Sequence, residues 1–161
     1  FVRAIAAARS RIPGLHALLV GDGPLRSEVM TAIAAAGLVD VLHLTGYRTD
    51  ADRLIAAADV VTLSSREEGM GSVLLDALVF SRPVVATRAG GIPEIVRDGE
   101  TGLLVAVGDA EGMGAAIATL VTDRSLAVRF GTQGRARAPE FSTESMAART
   151  HAVYEAVLSL D

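Results

Sequence analysis

The chain has 161 residues, a formal net charge of −4 at pH 7, no Cys and no Trp, and half of its residues are hydrophobic. This length is typical of one domain whose core is large enough to fold without cross-links. The missing Cys excludes disulfides and thiolate metal sites. The mild negative charge argues against nucleic acid as a partner, because a phosphate backbone requires a basic surface. All 15 basic residues are Arg, which excludes a Schiff-base Lys and a Lys phosphate clamp among these residues.

The first residues indicate how the chain is organised. Phe1 to Ala4 lack an initiator Met, resemble the middle of a helix, and show neither a signal-peptide pattern nor a first strand. No apolar run reaches the roughly 18 residues that a membrane span requires. We therefore expect an excised domain that lacks its first strand, from a protein of the cytoplasm or of the cytoplasmic face of a membrane.

Short apolar runs alternate with helical stretches along the chain. The runs predict strands over 15–20, 41–45, 60–63, 83–87 and 102–105. Helices are predicted between them, over 25–36, 50–58, 72–80 and 91–96. From Asp109 onward the pattern is helical, with breaks near Asp123 and Pro139, and 139–161 is predicted to be a C-terminal helical segment.

This alternation predicts the fold class. Apolar strands separated by helices indicate a parallel sheet that is covered on both faces. Because crossover connections are right-handed, we expect an α/β fold with a Rossmann-like, doubly wound sheet of about five or six strands. Ligands of such sheets bind beyond the carboxyl ends of the strands. That rule selects four loops rich in Gly, Ser or Thr, at 21–24, 46–49, 64–71 and 87–91, although the first is equally consistent with a simple turn.

The central loop places carboxylates next to a helix start. The amides of Gly71, Ser72 and Val73 are predicted at the N-terminus of an apolar helix, where unpaired N–H groups and the helix dipole favour an anion such as phosphate. Glu67 and Glu68 directly precede them, which is unusual for a simple phosphate site. Carboxylates there are explained if they accept hydrogen bonds from hydroxyls of the same ligand, with sugar hydroxyls the obvious choice.

A second carboxylate follows one turn into the helix. Asp76 lies four residues after Ser72, on the same helical face, and its neighbours are all apolar. An unpaired carboxylate among apolar residues is costly unless it lies at a site mouth, and the alternative is an exposed Asp on the solvent face. With the loop before it, the pattern favours a ligand with hydroxyls at both ends and phosphate between them, such as a nucleotide sugar.

Several motifs occur in a fixed order over nearly the whole chain. They are the segments 20–24, 45–47, 64–77, 82–87, 90–96 and 98–105, followed by Phe141-Ser142 and a final helix with Tyr154. In this order they resemble the donor-binding half of retaining GT-B glycosyltransferases, the family 4 type also called group 1 glycosyltransferases. The family signature has two Glu separated by seven residues, and here seven residues separate Glu68 from Asp76, which occupies the second Glu position.

The resemblance implies a role for each residue of the motif. Glu68 would contact and orient the donor sugar as the residue nearest the chemistry, together with the amides of Met70 and Gly71. The amides of Ser72 and Val73 would hold the diphosphate. These five positions lie in one continuous stretch of the chain.

The nucleotide end of the donor is assigned in the same way. Asp76 would grip the ribose diol, with a weaker or water-bridged contact because Asp is one methylene shorter than Glu. Tyr47 and Arg48 would flank the base through backbone groups. The remaining positions carry less weight: Arg66, Gly90 and Gly91 are weaker candidates, and Glu94 is as well explained by a structural role.

The resemblance also implies what lies outside this chain. Residues 1–161 would form the nucleotide-sugar-binding domain. An N-terminal domain that binds a glycan, lipid or small-molecule acceptor would lie upstream, together with an Arg and a Lys that clamp the diphosphate. The reaction would transfer a hexosyl group by front-face substitution without an enzyme nucleophile, metal or other cofactor. We expect the isolated chain to bind donor weakly and to catalyse nothing, and peripheral membrane contact stays open for the full-length enzyme.

Two other functions are consistent with parts of the pattern. One is a nucleotide-sugar epimerase on the same fold, which lacks the support of the Glu68 and Asp76 spacing. The other is a non-enzymatic α/β module such as a receiver domain, which would need a switch Lys that this chain lacks.

His16, His43 and His151 have no metal-ligand spacing and are interpreted as packing or surface residues. Four arginines are interpreted as a solvated helix surface rather than a membrane-binding face: Arg124, Arg129, Arg135 and Arg137.

Overall fold

The computed structural model describes residues 1–159, and all structural statements below concern these residues. The strands are β1 (Ala17–Val20), β2 (Leu42–Gly46), β3 (Val61–Leu63), β4 (Val84–Thr87) and β5 (Gly102–Val105). The helices are α1 (Val2–Arg9), α2 (Arg26–Ala35), α3 (Ala51–Ala57), α4 (Ser72–Val79), α5 (Ile92–Ile95), α6 (Ala110–Thr122), α7 (Arg124–Arg137) and α8 (Thr143–Leu158). A 3-10 helix, Ala138–Phe141, joins α7 to α8. The predicted strands and helices are confirmed, with small shifts at their ends.

The predicted α/β class with parallel strands is confirmed, and the strands form two hydrogen-bonded groups. β1 pairs with β2, whereas β4 lies between β3 and β5, and all three pairings are parallel. Among residues 1–159 no ladder joins one group to the other. β1 is therefore less buried than an inner strand of a parallel sheet: its residues Leu18 and Val20 are 48% and 40% exposed.

The strand β4 separates two halves of the hydrophobic core. All four of its residues are buried, and alternate side chains point to opposite faces. Val85 belongs to the cluster formed with α1 and α6, whereas Val84 and Ala86 belong to the cluster formed with α4 and α5. Helices therefore cover both faces of this strand, as a doubly wound fold requires.

Small residues allow α1 and α6 to pack in close contact. A Cβ atom on Gly114 of α6 would lie 2.5 Å from the Cβ of Ala7 and 2.8 Å from the carbonyl oxygen of Ala4. Ala4 and Ala7 are buried in the same crossing. Gly114 is therefore required by the approach of α1 rather than by helix propensity, which disfavours Gly.

A similar contact fixes the turn between α4 and β4. Ser81 in this turn has a positive φ of 57°, and its carbonyl oxygen lies where a Cβ of Gly131 on α7 would be. Any side chain at residue 131 would overlap this oxygen. The contact therefore holds α7 against the end of α4.

The last helix packs differently from the others. α8 has no buried residue, and its apolar side chains Met146, Val153, Tyr154 and Val157 are all more than half exposed. Leu160 and Asp161 of the predicted C-terminal segment lie outside the described residues. No helix in the described range is both long and apolar enough to cross a membrane.

We expect Gly131→Ala to destabilise the protein by about 1–3 kcal/mol, as overpacking of a filled site does, although Ala favours a helix by about 1 kcal/mol over Gly. The matched control is Gly134→Ala on the same helix, because its Cβ would meet only the tip of the Leu78 side chain, at 2.8 Å. Urea denaturation measures both. Equal changes in the free energy of unfolding would contradict the role assigned to Gly131.

Candidate functional site

Neighbouring strands bring the predicted loops together in pairs. β3 and β4 are paired in register, Leu63 with Ala86, so the loop 64–71 that follows β3 lies beside the turn that follows β4. β1 and β2 do the same for the loops 21–24 and 46–49, where the Gly21 amide donates to the Gly46 carbonyl at 2.9 Å. Each group of strands therefore ends in two adjacent loops.

The turn after β4 contacts the backbone of the loop after β3. The Gly91 amide donates to the carbonyl oxygens of Glu68 and Gly69, at 3.2 Å and 3.1 Å. A Cβ on Gly90 would overlap the Glu68 carbonyl oxygen, and a Cβ on Gly91 would overlap that of Gly69. Gly90 also has a positive φ of 47°, which favours Gly. Both glycines therefore fix the path of the loop that carries Glu68.

A buried threonine makes a second connection between the same two segments. The hydroxyl of Thr87, a residue 3% exposed, donates to the carbonyl oxygen of Ser65 at 2.6 Å. Thr87 opens the predicted ligand loop 87–91, but no role was predicted for its hydroxyl. Its signal is a single hydroxyl at the carboxyl end of an otherwise apolar, fully buried strand.

The carboxylate of Glu68 is held within its own loop. It accepts hydrogen bonds from the Ser65 hydroxyl at 3.1 Å and from the Gly71 amide at 3.2 Å. Two carboxylate oxygens offer about four acceptor positions, so Glu68 keeps capacity for ligand hydroxyls. The Gly71 amide, in contrast, already has an acceptor, and Met70 is 55% exposed at the loop surface. The predicted sugar contacts of these residues stay predictions.

The start of α4 has open hydrogen-bond donors. Gly71 precedes the helix in the left-handed conformation, with φ 74°, and no side chain caps the N-terminus. The amides of Ser72 and Val73 have no acceptor among the described residues. The first turn also lacks acidic residues. These open N–H groups, together with the helix dipole, give α4 an electropositive end.

Three later helices have a side-chain cap at their N-termini. Asp109 caps α6, Asp123 caps α7 and Ser142 caps α8, each by accepting a backbone N–H. The helices that directly follow the first four strands have no side-chain cap: α2, α3, α4 and α5. Apart from α1, which also lacks a side-chain cap, the open ends coincide with the loops where ligands of this fold class bind.

Asp76 lies on the exposed face of α4. Ser72 and Val79 share this face, and no residue in the described part of the chain forms a hydrogen bond or ion pair with the Asp76 carboxylate. Exposure explains how a carboxylate is accommodated on so apolar a helix, since it avoids the cost of burial. The carboxylate is available to a ligand bound above the first turn, and the predicted ribose contact stays a prediction.

Tyr47 and Arg48 follow β2, in the other group of strands. Tyr47 is 80% exposed, and Arg48 binds Asp50 through two hydrogen bonds, Nε to Oδ1 at 2.7 Å and Nη2 to Oδ2 at 2.6 Å. These hydrogen bonds lower the pKa of the Asp50 carboxyl below its ordinary value and raise the pKa of Arg48. The Arg48 side chain is thus occupied, which leaves its backbone for the predicted contact with a base.

The weaker candidates of the sequence have varied surroundings. Arg66 is exposed, and the backbone carbonyl of Glu94, rather than its carboxylate, forms a tertiary hydrogen bond. The rings of His16 and His43 stack with centroids 5.9 Å apart. Within residues 1–159 no group of three His, Cys, Asp or Glu side chains is arranged to hold a metal ion.

Comparisons with known proteins agree on one family. The model of a family described as glycosyl transferases group 1 matches residues 1–123. A lipopolysaccharide core biosynthesis glycosyltransferase, LpsE of Rhizobium meliloti, is 38% identical over 127 residues, which cover 79% of this chain and 37% of LpsE. The chain therefore spans well under half of this relative.

Solved structures give the same result for the fold. Anabaena HepE, solved in complex with UDP and glucose, superposes with a TM-score of 0.86 at 27% identity, over 96% of this chain and 44% of HepE. The C-terminal domain of LpcC, a group 1 glycosyl transferase of Francisella tularensis, gives a TM-score of 0.79 at 25% identity, over 89% of this chain and 78% of that domain. The latter structure contains the C-terminal domain of that protein.

We expect Gly91→Ala to displace the loop 64–71, because the new methyl group would overlap the Gly69 carbonyl oxygen. Amide chemical shifts of residues 65–71 should change and the protein should lose about 1–3 kcal/mol of stability. Gly69→Ala is the matched control on the other side of the contact, since nothing lies within 4 Å of its Cβ position. Loop shifts of similar size in both variants would contradict the close backbone contact.

The Arg48 and Asp50 pair predicts a pH dependence. Because the folded-state pKa of Asp50 is lowered, the pair stabilises the loop above the ordinary carboxyl pKa, and this contribution is lost as pH falls through the folded-state value. We expect Arg48→Met to raise the Asp50 pKa toward its ordinary value in an NMR titration of the carboxyl carbons. The pKa of Asp123, which is lowered mainly by the Leu126 amide, should stay unchanged. An unchanged Asp50 titration in the variant would refute this cause.

Proposed function

The chain belongs to the glycosyl transferases group 1 family, and from this membership we propose that it is the nucleotide-sugar-binding domain of a retaining glycosyltransferase. The complete enzyme would transfer a hexosyl group from a nucleoside diphosphate sugar to an alcohol of a glycan, lipid or small molecule. The similarity to a lipopolysaccharide core biosynthesis glycosyltransferase supports a role in carbohydrate biosynthesis, and we place the enzyme in the cytoplasm or at the cytoplasmic face of a membrane.

The open N-terminus of α4 beside the fixed loop of Glu68 carries this proposal. Two unpaired amides, those of Ser72 and Val73, suit the diphosphate, since anions bind at such helix ends. Glu68 before them and Asp76 after them are carboxylates, which repel phosphate and accept hydroxyl hydrogen bonds. In this arrangement the sugar contacts Glu68, and the ribose diol contacts Asp76. HepE, which was solved with UDP-glucose, supports this class of donor.

The mechanism follows from what the loop holds in place. Front-face substitution breaks the bond between the anomeric carbon and the diphosphate oxygen while the acceptor oxygen bonds to the same face, and the acceptor proton passes to the leaving diphosphate. The amides of Ser72 and Val73 would stabilise the charge that develops there. Glu68, bonded to Ser65 and Gly71, orients the sugar rather than attacking it. The proposal assigns no metal, because these amides and the upstream Arg and Lys implied by the family would balance the charge.

We expect calorimetry to separate the two carboxylates. Glu68→Gln keeps an acceptor for the Gly71 amide but loses the charge, so it should weaken a sugar nucleotide about tenfold and the free nucleotide little. Asp76→Asn should weaken both ligands by a similar factor, because both contain the ribose. The ligands are UDP-glucose, ADP-glucose and GDP-mannose with the corresponding nucleotides.

The control for these variants is Glu67→Gln, which changes the exposed neighbour of Glu68 and should leave every affinity unchanged. The opposite pattern, with Glu68→Gln weakening the free nucleotide and Asp76→Asn only the sugar part, would reverse the assigned orientation. No binding of any of these sugar nucleotides by the unmodified chain at millimolar concentration would refute the proposed function.

A further inference from the structure

Arginine side chains bind the far ends of three helices that begin at the ligand loops. Arg82 donates from Nη2 to the carbonyl oxygen of Ala56 in the last turn of α3, and Arg135 donates from Nη1 to that of Val79 at the end of α4. Arg137 does the same at the end of α5. Cations at helix C-termini complement the helix dipole. Two arginines that the sequence assigned to a solvated surface thus have specific partners.

Arg137 uses its whole guanidinium group in this way. Nη2 donates to the carbonyl oxygen of Glu94 at 2.7 Å, Nη1 donates to that of Ile95, and Nε donates to the Glu140 carboxylate at 3.1 Å. The guanidinium carbon also lies 5.0 Å from the centroid of the Phe141 ring. Its side chain is only 13% exposed. A planar fork with several donors is needed for this set of partners, and an ammonium group cannot reproduce it.

The helix between Arg137 and the ligand loop is a single turn. α5 comprises four residues, and a helix this short is not stable by itself. At its beginning, the Gly91 amide binds the carbonyls of Glu68 and Gly69. At its end, its carbonyls bind Arg137. Both contacts therefore help to hold α5 in place, together with its two buried isoleucines in the core.

We propose that Arg137 is a positioning residue for the donor-sugar loop: through α5 and Gly91 it holds the backbone of Glu68 and Gly69 in the conformation that receives the sugar. It touches neither the donor nor the reacting atoms. The proposal rests on the proposed function for its ligand, but its structural part concerns only the described chain. Arg137 binds the C-terminal end of α5, whereas the loop of Glu68 contacts the N-terminal end, so Arg137 would affect sugar binding without touching the sugar.

The effect should be confined to the sugar end of the donor. Ser72, Val73 and Asp76 belong to α4, whose far end binds Arg135 instead. Removing the Arg137 guanidinium should therefore loosen the loop while leaving the nucleotide contacts intact. Arg135→Met is a matched control, because it removes the same charge from the last turn of the same helix.

The first experiment measures amide hydrogen exchange in the complete chain without ligand. Arg137→Met should accelerate exchange of the Gly91 amide about tenfold, since local opening controls exchange of such amides, while β4 amides keep their protection. Arg137→Lys should give a smaller acceleration, and it tests the proposal if the Met variant does not fold. Arg135→Met should leave Gly91 unchanged. Unchanged exchange at Gly91 in Arg137→Met, or equal acceleration in Arg135→Met, would overturn the proposal.

The second experiment measures how the same substitution changes the affinities for UDP and for UDP-glucose. Arg137→Met should weaken UDP-glucose about fivefold, equivalent to one hydrogen bond, and leave UDP unchanged. A merely structural role would weaken both or neither, and either result would overturn the sugar-specific part. If the unmodified chain binds none of the tested sugar nucleotides, the proposed function fails, whereas the exchange measurement still decides whether Arg137 positions the loop.

Discussion

The backbone of the Gly90–Gly91 turn lies against the backbone of Glu68 and Gly69 with no space for a side chain between them. The paired strands β3 and β4 bring the two segments together, and the Gly91 amide and the Thr87 hydroxyl fasten them. The part of the site around Glu68 depends on this contact. The contact sets the path of the loop 64–71. It thereby places the Glu68 carboxylate where it accepts a hydrogen bond from the Gly71 amide, directly before α4.

The arginine-only composition acquires a structural meaning from the far side of the same helices. A guanidinium carries several N–H groups in one plane and stacks on an aromatic ring. Arg137 uses these properties at once, with two carbonyls, a carboxylate and Phe141. At α3, α4 and α5 the uncapped N-terminus lies at a predicted ligand loop, and an arginine binds backbone carbonyls at the opposite end. The site thus depends on both ends of these helices.

Much of this architecture could be predicted from local patterns. The apolar runs identify β1 to β5, and the Glu68 and Asp76 spacing identifies a loop and helix that the structure places at the end of β3. The hydrogen bond from Ser65 to Glu68 spans three residues and was within reach of the same reasoning. Contacts between residues far apart in the sequence could not be predicted from local patterns. The division of the strands depends on which edges pair, and Arg137 binds carbonyls 42 and 43 positions away.

The crossing of α1 and α6 at Gly114 bears on the order in which the chain folds. The ion pair from Arg11 to Glu111 beside it joins positions 100 residues apart, so the contact closes a loop that contains all five strands. Contacts of such separation form slowly, because the entropy of loop closure must be offset first. During synthesis α1 leaves the ribosome before α6, so this part of the core is completed only after all five strands have been made.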